Sequence, residues 1–405
     1  MILSVPARHI PPPAFLADPA LRRILVALPD ARIVGGAVRD ALAGRSVADI
    51  DLATSLPPGR IVDTLQAAGI RAIPTGIDHG TITALVDGTS FEITTLRRDV
   101  ATDGRHATVA FTDDWRQDAA RRDFTINAMS LSLAGEVFDY FGGISDLEAG
   151  IVRFVGDPAT RIAEDFLRIL RFFRFHARYA ATDTPPDPGA LRAIREGVLG
   201  LGILSPERVW SEIFRTLAVT DPGPAVALMA ELGVLEAVLP GADPGGLERL
   251  IAAGAPADPL LRLAALGGFG ELRLSAAERA RLLALCQPLL LTPSADDDDI
   301  RRALTDGSSD VLTSRTWLSE ARPGAPSLAG HGAEPHPSWA SLRTRIASMP
   351  RPIFGLEGRD ALALGLAPGP RVGALLQQVR DWWLQAGCLP NTDACRAELA
   401  RRVAG

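Results

Sequence analysis

Val34-Gly35-Gly36-Ala37-Val38-Arg39-Asp40, followed closely by Asp49-Ile50-Asp51-Leu52, decides how this chain is read. In an extended strand, residues i and i+2 share a side. Asp49 and Asp51 therefore aim two carboxylates at one spot, while Ile50 and Leu52 turn to the opposite face. Two like charges that close are unfavourable without a cation. Magnesium removes the conflict, and a pair of such ions suits in-line phosphoryl transfer. Gly35 and Gly36 follow a strand and precede a helix, where backbone N–H groups cradle phosphate, with Arg39 one turn into the helix to add charge. A lone Asp-x-Asp is an ordinary solvated strand end, and a lone Gly-Gly an ordinary turn. On one strand–helix–strand unit the two together point to phosphate chemistry.

Outward from this stretch the pattern is mixed. Strand signals fall at Arg32–Val34, Ile50–Ala53, Thr81–Val86, Phe91–Leu96, Glu136–Asp139 and Val152–Val155, with a helix over Pro58–Ala68. Alternation of Phe91, Ile93 and Thr95 with Glu92 and Thr94 suits a half-buried strand. From Asp157 onward strand signals nearly vanish. Ile162–Tyr179 reads as one long helix, followed by helices over Ser205–Leu217, Pro224–Leu232, Asp258–Leu266, Ala276–Leu289, Asp297–Leu304 and Val372–Gln385. Pro323–Pro337, rich in Pro, Gly, Ala and Ser, reads as a loop. The expected division is an N-terminal extension and helix over 1–30, an α/β head on one sheet over 31–155, a helical neck over 156–220, and a helical body and tail over 221–405.

Composition narrows the function classes. The 405 residues are 47% hydrophobic and 22% charged, enough for real cores and unlike a disordered chain. No apolar run is long enough to cross a membrane, and Met1 to Pro13 lacks the layout of a secretory signal. The three cysteines Cys286, Cys388 and Cys395 are too scattered for a disulfide framework or a zinc site, so a reducing, cytoplasmic setting is expected. The net charge of −6 gives no global positive field. RNA binding needs only local positive surface, and six arginines between Arg153 and Arg178 face Asp157, Glu164 and Asp165. The sequence contains no lysine, so all 42 Lys+Arg residues are arginine and every phosphate contact must be a guanidinium fork.

The stretch Gly35-Gly36-Ala37-Val38-Arg39-Asp40, then Asp49-Ile50-Asp51-Leu52-Ala53-Thr54, resembles the head of the nucleotidyltransferase family that holds tRNA CCA-adding enzymes and bacterial poly(A) polymerases. Later motifs are similar, in order: His79-Gly80-Thr81-Ile82-Thr83, Phe91 to Arg97, Asp103-Gly104-Arg105-His106, Arg121 to Met129 and Asp139 to Gly143. The resemblance covers about Arg32 to Leu217. It implies an α+β fold, with a polymerase-β-like head on a mixed sheet and an all-helical neck, body and tail. It also implies addition of C, C and A to the 3′ end of tRNA from CTP and ATP. In that reaction the RNA hydroxyl attacks the α-phosphate and pyrophosphate leaves. Asp49 and Asp51 would carry two Mg²⁺ ions. Arg122, at the opening of a helix, resembles the triphosphate contact; Gly36 and Arg39 would face the nucleotide, and Asn127 a ribose hydroxyl. Glu92 is either a third carboxylate near the metals or half of a strand-edge ion pair. Asp40 reads as a structural partner.

Glu164-Asp165-Phe166-Leu167-Arg168-Ile169-Leu170-Arg171-Phe172-Phe173-Arg174 bears on base choice. Arg168, Arg171 and Arg174 recur every third residue and would lie along one side of a helix, beside Asp165. Alone, the segment reads as an amphipathic helix with a salt-bridged face. Base chemistry adds a second reading. Cytosine and adenine both present an amine donor beside a ring-nitrogen acceptor, whereas uracil and guanine present a carbonyl acceptor beside an N–H donor. Aspartate accepts and arginine donates, so Asp165 with Arg168 matches C or A and opposes U or G. In the resembled family these positions read the incoming base. Arg171 and Arg174 would hold phosphates or the helix's own carboxylates.

The loop from Arg97 to His106, with Asp103 and Arg105 at its tip, resembles the flexible element that helps the switch from C to A addition. Glu207-Arg208-Val209-Trp210-Ser211-Glu212 resembles a structural element, with Arg208 held by Glu207, Glu212 or neighbours. Arg371 after Pro368-Gly369-Pro370 resembles part of an RNA-binding tail. Asp296–Asp299 suit a helix start. None of the six histidines forms a His-Asp dyad. Gly76-Ile77-Asp78-His79-Gly80-Thr81 resembles the CCA type rather than the poly(A) type. A poly(A) polymerase, an A-only or CC-only enzyme, and a non-catalytic RNA-binding protein stay open as alternatives.

Overall fold

The computed structural model describes residues 5–102, 107–269, 272–323 and 338–404. Asp103 and Arg105, and 324–337 of the proline-rich segment, lie outside the described residues. The chain packs as two units. One runs to Pro240 and takes in Leu272; the other comprises Gly241–Phe269 and the chain from Arg273 onward.

The first unit is built on ten strands: β1 Arg8–His9, β2 Arg32–Val34, β3 Asp51–Thr54, β4 Arg71–Gly76, β5 Thr81–Val86, β6 Thr89–Thr95, β7 Arg97–Thr102, β8 Ala107–Phe111, β9 Ser130–Leu131 and β10 Glu136–Phe138. Eight form one sheet in the order β1-β10-β9-β2-β3-β6-β5-β4, and β7 and β8 make a separate hairpin. The sheet is mixed, since β3 pairs parallel with β6 and antiparallel with β2.

Register separates the two faces. Ile33 pairs with Leu52, Leu52 with Ile93 and Ile93 with Ile82; Ile33 also pairs with Leu131, and Leu131 with Val137. All six are fully buried in one core. That face is covered by α1 Pro19–Ala27, α2 Gly36–Leu42, α3 Pro58–Ala67 and α5 Gly143–Ala149, whose Leu21, Ile24, Val38, Ile61, Leu65 and Ile144 join the same core. α4 is Trp115–Ala120, and Trp115 packs against Val34, Ala53 and Leu96.

The neck follows with α6 Pro158–Glu164, α7 Leu167–Tyr179, α8 Pro188–Gly197 and α9 Pro206–Leu217. Helices over Gly223–Glu231 and Val234–Val238 complete this unit. The regular elements among the second unit's described residues are all helices, with apolar clusters around Ile300 and Ile346 and around Val379 and Trp383.

Three expectations are corrected. Ile162–Tyr179 is two helices, because Asp165 is extended (φ −158°, ψ 108°). Its carboxylate accepts the Leu167 N–H at 3.1 Å and its carbonyl the Arg168 N–H at 3.0 Å, so it closes the old helix and turns the chain into the next. Arg121 closes α4, and the chain then makes only a short 3₁₀ turn at Thr125–Asn127; Arg121–Asp123 therefore ends a helix. Val152–Val155 forms no strand beyond a single bridge from Phe154 to Phe124. The two rings lie 4.8 Å apart, so the apolar run serves an aromatic cluster with Phe172 and Phe175.

Candidate active site

The face opposite the core carries a row of paired residues: Phe138, Ser130, Val34, Asp51, Glu92 and Thr83, one from each of six adjacent strands. Directly paired residues point to the same side of a sheet, so Asp51 and Glu92 stand side by side. Asp49, two residues before Asp51, joins them. Ile50 and Leu52 go the other way, against the core. Asp49 lies just before β3, near enough for its charge to raise the Asp51 carboxyl. Asp30 anchors the far end of β3 by accepting from Thr54 Oγ1 at 2.8 Å and Ser55 N at 2.9 Å.

Asp49, Asp51 and Glu92 are exposed, and among the described residues none forms an ion pair. Desolvation by the surrounding walls pushes the Asp51 carboxyl above its ordinary value, repulsion from Glu92 and Asp49 adds to this, and Arg122 pulls it back. Like charges gathered without compensation are what a hard divalent cation relieves, and an all-oxygen donor set is its preferred chemistry. Among the described residues no three His, Cys, Asp or Glu side chains close into a metal cage.

Arg122 sits at the head of this face. A Cβ on Gly35 would lie 3.1 Å from its Nη1, and Gly35 itself has φ +67°, so glycine is required there for both space and backbone. Gly36 begins α2 beside it. Arg122 is held by Asp118 at 3.1 Å and reaches the Asn127 carbonyl at 3.5 Å. Burial works against charge on Asp118, but Arg122 and Arg121 hold its carboxyl below the usual range. The guanidinium is thus braced from behind with part of its surface free.

Arg39 and Asn127 depart from expectation. The Arg39 side chain is only 9% exposed. It donates to Asp40 at 3.0 Å and to Asn127 Oδ1 at 2.5 Å, with its guanidinium 4.5 Å from the Tyr179 ring centre. Asn127 in turn donates to Asp123 at 3.0 Å. Both side chains spend hydrogen bonds inside the protein. They brace the floor of the site. Asp40 is the structural partner expected, and also accepts from Tyr179 Oη.

The neck arginines are anchored too. Arg171 donates to Asp123 at 2.7 Å, and Arg174 to Glu212 at 2.6 Å. Their carboxylates come from the head and from α9, a correction to the expected phosphates or acids of their own helix. Burial works against charge on Asp123, and Arg171 outweighs it, holding the carboxyl below its usual range. Arg168 bonds Glu164, the Arg161 carbonyl at 2.8 Å and the Arg121 carbonyl at 3.3 Å, which ties neck to head. Asp165 leaves the helix and is held by Arg208 at 2.7 Å. Arg208 was expected to be held by Glu207, Glu212 or neighbours; it reaches back to Asp165 in the turn where α6 breaks. No spacing in one dimension could have signalled that contact.

A cavity of about 800 Å³ lined by Arg45, His176, Arg178 and Arg215 lies at the far end of α7. None of the site carboxylates lines it, because they stand on an open sheet face.

Residues 31–153 match the family model described as the poly A polymerase head domain, and 186–245 that of a probable RNA- and SrmB-binding site of polymerase A. The chain is 38% identical over 385 residues to the mitochondrial CCA tRNA nucleotidyltransferase 1 of Danio rerio, covering 91% of this chain and 87% of that one. It is 38% identical over 370 residues to the human protein of the same name, with coverages of 88% and 83%. Among solved structures it is similar to the Bacillus stearothermophilus CCA-adding enzyme in complex with CTP. The TM-score is 0.71 at 26% identity, over 96% of this chain and 98% of that one.

Proposed function

The chain belongs to the family of tRNA CCA-adding nucleotidyltransferases, and from that premise we propose how its own residues add C, C and A to the 3′ end of tRNA. Asp49 and Asp51 hold divalent metal, with Glu92 beside them as a third carboxylate; Mg²⁺, as two ions, is the reading the open oxygen site favours. When bound, the metal lowers the pKa of the attacking hydroxyl and neutralises charge on the phosphoryl oxygens.

The protein's part is positioning. Arg122, braced by Asp118, offers its free edge to the triphosphate next to Gly36. Asp165 accepts from the exocyclic amine of C or A, and Arg168, exchanging its bond to Glu164 for one to the base, donates to the adjacent ring nitrogen. A uracil or guanine would place acceptor against acceptor and leave polar groups unpaired, so rejection is steep. Arg171 and Arg174 set the angle of α7 through Asp123 and Glu212. Asp103 and Arg105 belong to the loop that assists the change from C to A. tRNA is the partner, CTP and ATP the substrates. No helix among the described residues is long and apolar enough to cross a membrane; a cytoplasmic location is part of this proposal.

The observation that carries the reading is the unpaired row of Asp51 and Glu92 with Asp49, beside Arg122. The test is incubation of tRNA lacking its last three residues with each NTP, singly and together. Products extended by C, C and A are expected; long A tracts would favour the poly(A) alternative and overturn this one.

A further inference from the structure

We propose that Gly200 is a positioning residue for base choice: its missing side chain seats the Phe166 ring, and that ring sets the turn from which Asp165 emerges. The inference rests on the reading of Asp165 as the carboxylate that meets the base.

Gly200 lies in the 3₁₀ turn Val198–Ile203 that follows α8. It is not among the glycines with positive φ, so its backbone would accept alanine, and the requirement for glycine is one of space. A Cβ there would stand 2.1 Å from both Cδ1 and Cε1 of Phe166 and 2.5 Å from Cγ. Ordinary contact begins at 3.4 Å, so the ring would have to retreat by at least 3.4 − 2.1 = 1.3 Å. Gly197 bounds the other side: a Cβ on it would lie 2.8 Å from Ile162 and 3.2 Å from Ile169. Residues on both flanks of the break between α6 and α7 thus press on one glycine pair.

Phe166 follows Asp165 directly and caps α7, its carbonyl accepting the Ile169 N–H at 3.1 Å. The Asp165 carbonyl accepts the Arg168 N–H at 3.0 Å. Both base-facing side chains therefore leave the turn that the ring pins. Misplacement by about 1 Å can cost about 100-fold in a positioned reaction, and hydrogen bonds weaken steeply off their preferred geometry.

The test is single-turnover insertion of CTP against UTP on trimmed tRNA, with melting midpoints measured alongside. Gly200→Ala is expected to lower CTP-over-UTP discrimination at least tenfold. Gly202→Ala, in the same turn with nothing within 4 Å of its Cβ position, is expected to match wild type. Gly200→Ala/Phe166→Leu is expected to regain most of the lost discrimination, because leucine leaves room for the methyl. Unchanged discrimination in Gly200→Ala overturns the proposal, as does an equal loss in Gly202→Ala or a double variant no better than the single. Should Gly200→Ala fail to fold, Phe166→Leu alone, which leaves a gap that no methyl fills, must discriminate less well than Gly200→Ala/Phe166→Leu, where the methyl fills it; equal or better selectivity in the single variant overturns the proposal. Asp165→Ala separates the premise: if it keeps full discrimination, the base-reading assignment fails, whatever Gly200 does.

Discussion

Replacing Asp51 by asparagine should stabilise the metal-free protein while abolishing nucleotide transfer. Asp51 and Glu92 are register partners on adjacent strands, and neighbouring strands lie about 4.8 Å apart. Two unit charges at that distance repel by about 0.9 kcal/mol in water-like surroundings and about 3.5 kcal/mol at an effective dielectric of 20. Asp51 is exposed and Arg122 offsets part of the repulsion, so the lower figure applies, and the expected gain is about 0.5–1 kcal/mol. Metal reverses the order. At a hundred times its dissociation constant, a divalent cation bound only to the folded state stabilises wild type by about 2.7 kcal/mol. The variant, lacking a ligand, gains much less. Urea unfolding of both proteins in chelator and in Mg²⁺, followed by circular dichroism, should therefore give curves that exchange places. A variant less stable than wild type in chelator, or equally stabilised by Mg²⁺, would refute the reasoning.

Arg208→Ala frees the Asp165 side chain. Releasing one immobilised side chain is worth about 0.5–1.5 kcal/mol, so CTP-over-UTP discrimination should fall roughly 2- to 12-fold. The partly exposed pair should cost under about 1 kcal/mol of stability; competition assays and melting curves check both. Asp123→Ala strands the Arg171 guanidinium, and loss of one partner of a buried pair should destabilise the first unit by about 3–5 kcal/mol in urea unfolding. The pH dependence has a definite sign. The folded Asp123 carboxyl is depressed below its unfolded value of about 3.9. Its stabilisation is complete above that value and is lost as pH falls through the folded pKa. Melting midpoints from pH 6 to pH 3 should therefore fall less steeply in Asp123→Asn than in wild type.

Much of the site was legible in one dimension because its rules are local. Alternation alone sent Asp51 one way and Leu52 the other, and the strands at Arg32–Val34 and Thr81–Val86 fall where the apolar pattern put them. β4 was not legible: Arg71-Ala72-Ile73-Pro74-Thr75-Gly76 does not alternate, as suits an exposed edge strand that carries a proline. The break at Asp165 was hidden because Ile162, Phe166, Leu170 and Phe173 keep helical spacing across it, while the capping contacts that break the helix cannot be read from periodicity.

The sequence by itself determined which chemistry is available: an acidic pair on a strand, a glycine turn, a guanidinium near it, and an Asp and an Arg three apart. Each follows from bonded geometry over a few residues. Only the tertiary structure decided which of those groups are free to act. Arg39, Asn127, Arg168, Arg171 and Arg174 resemble ligand contacts in one dimension, yet each bonds a partner from a distant segment, because a buried or half-buried charge or amide must be satisfied where it lies. Arg122 is braced by Asp118 beside the acidic row, and Asp165, extended between two helices, is held by Arg208 from α9.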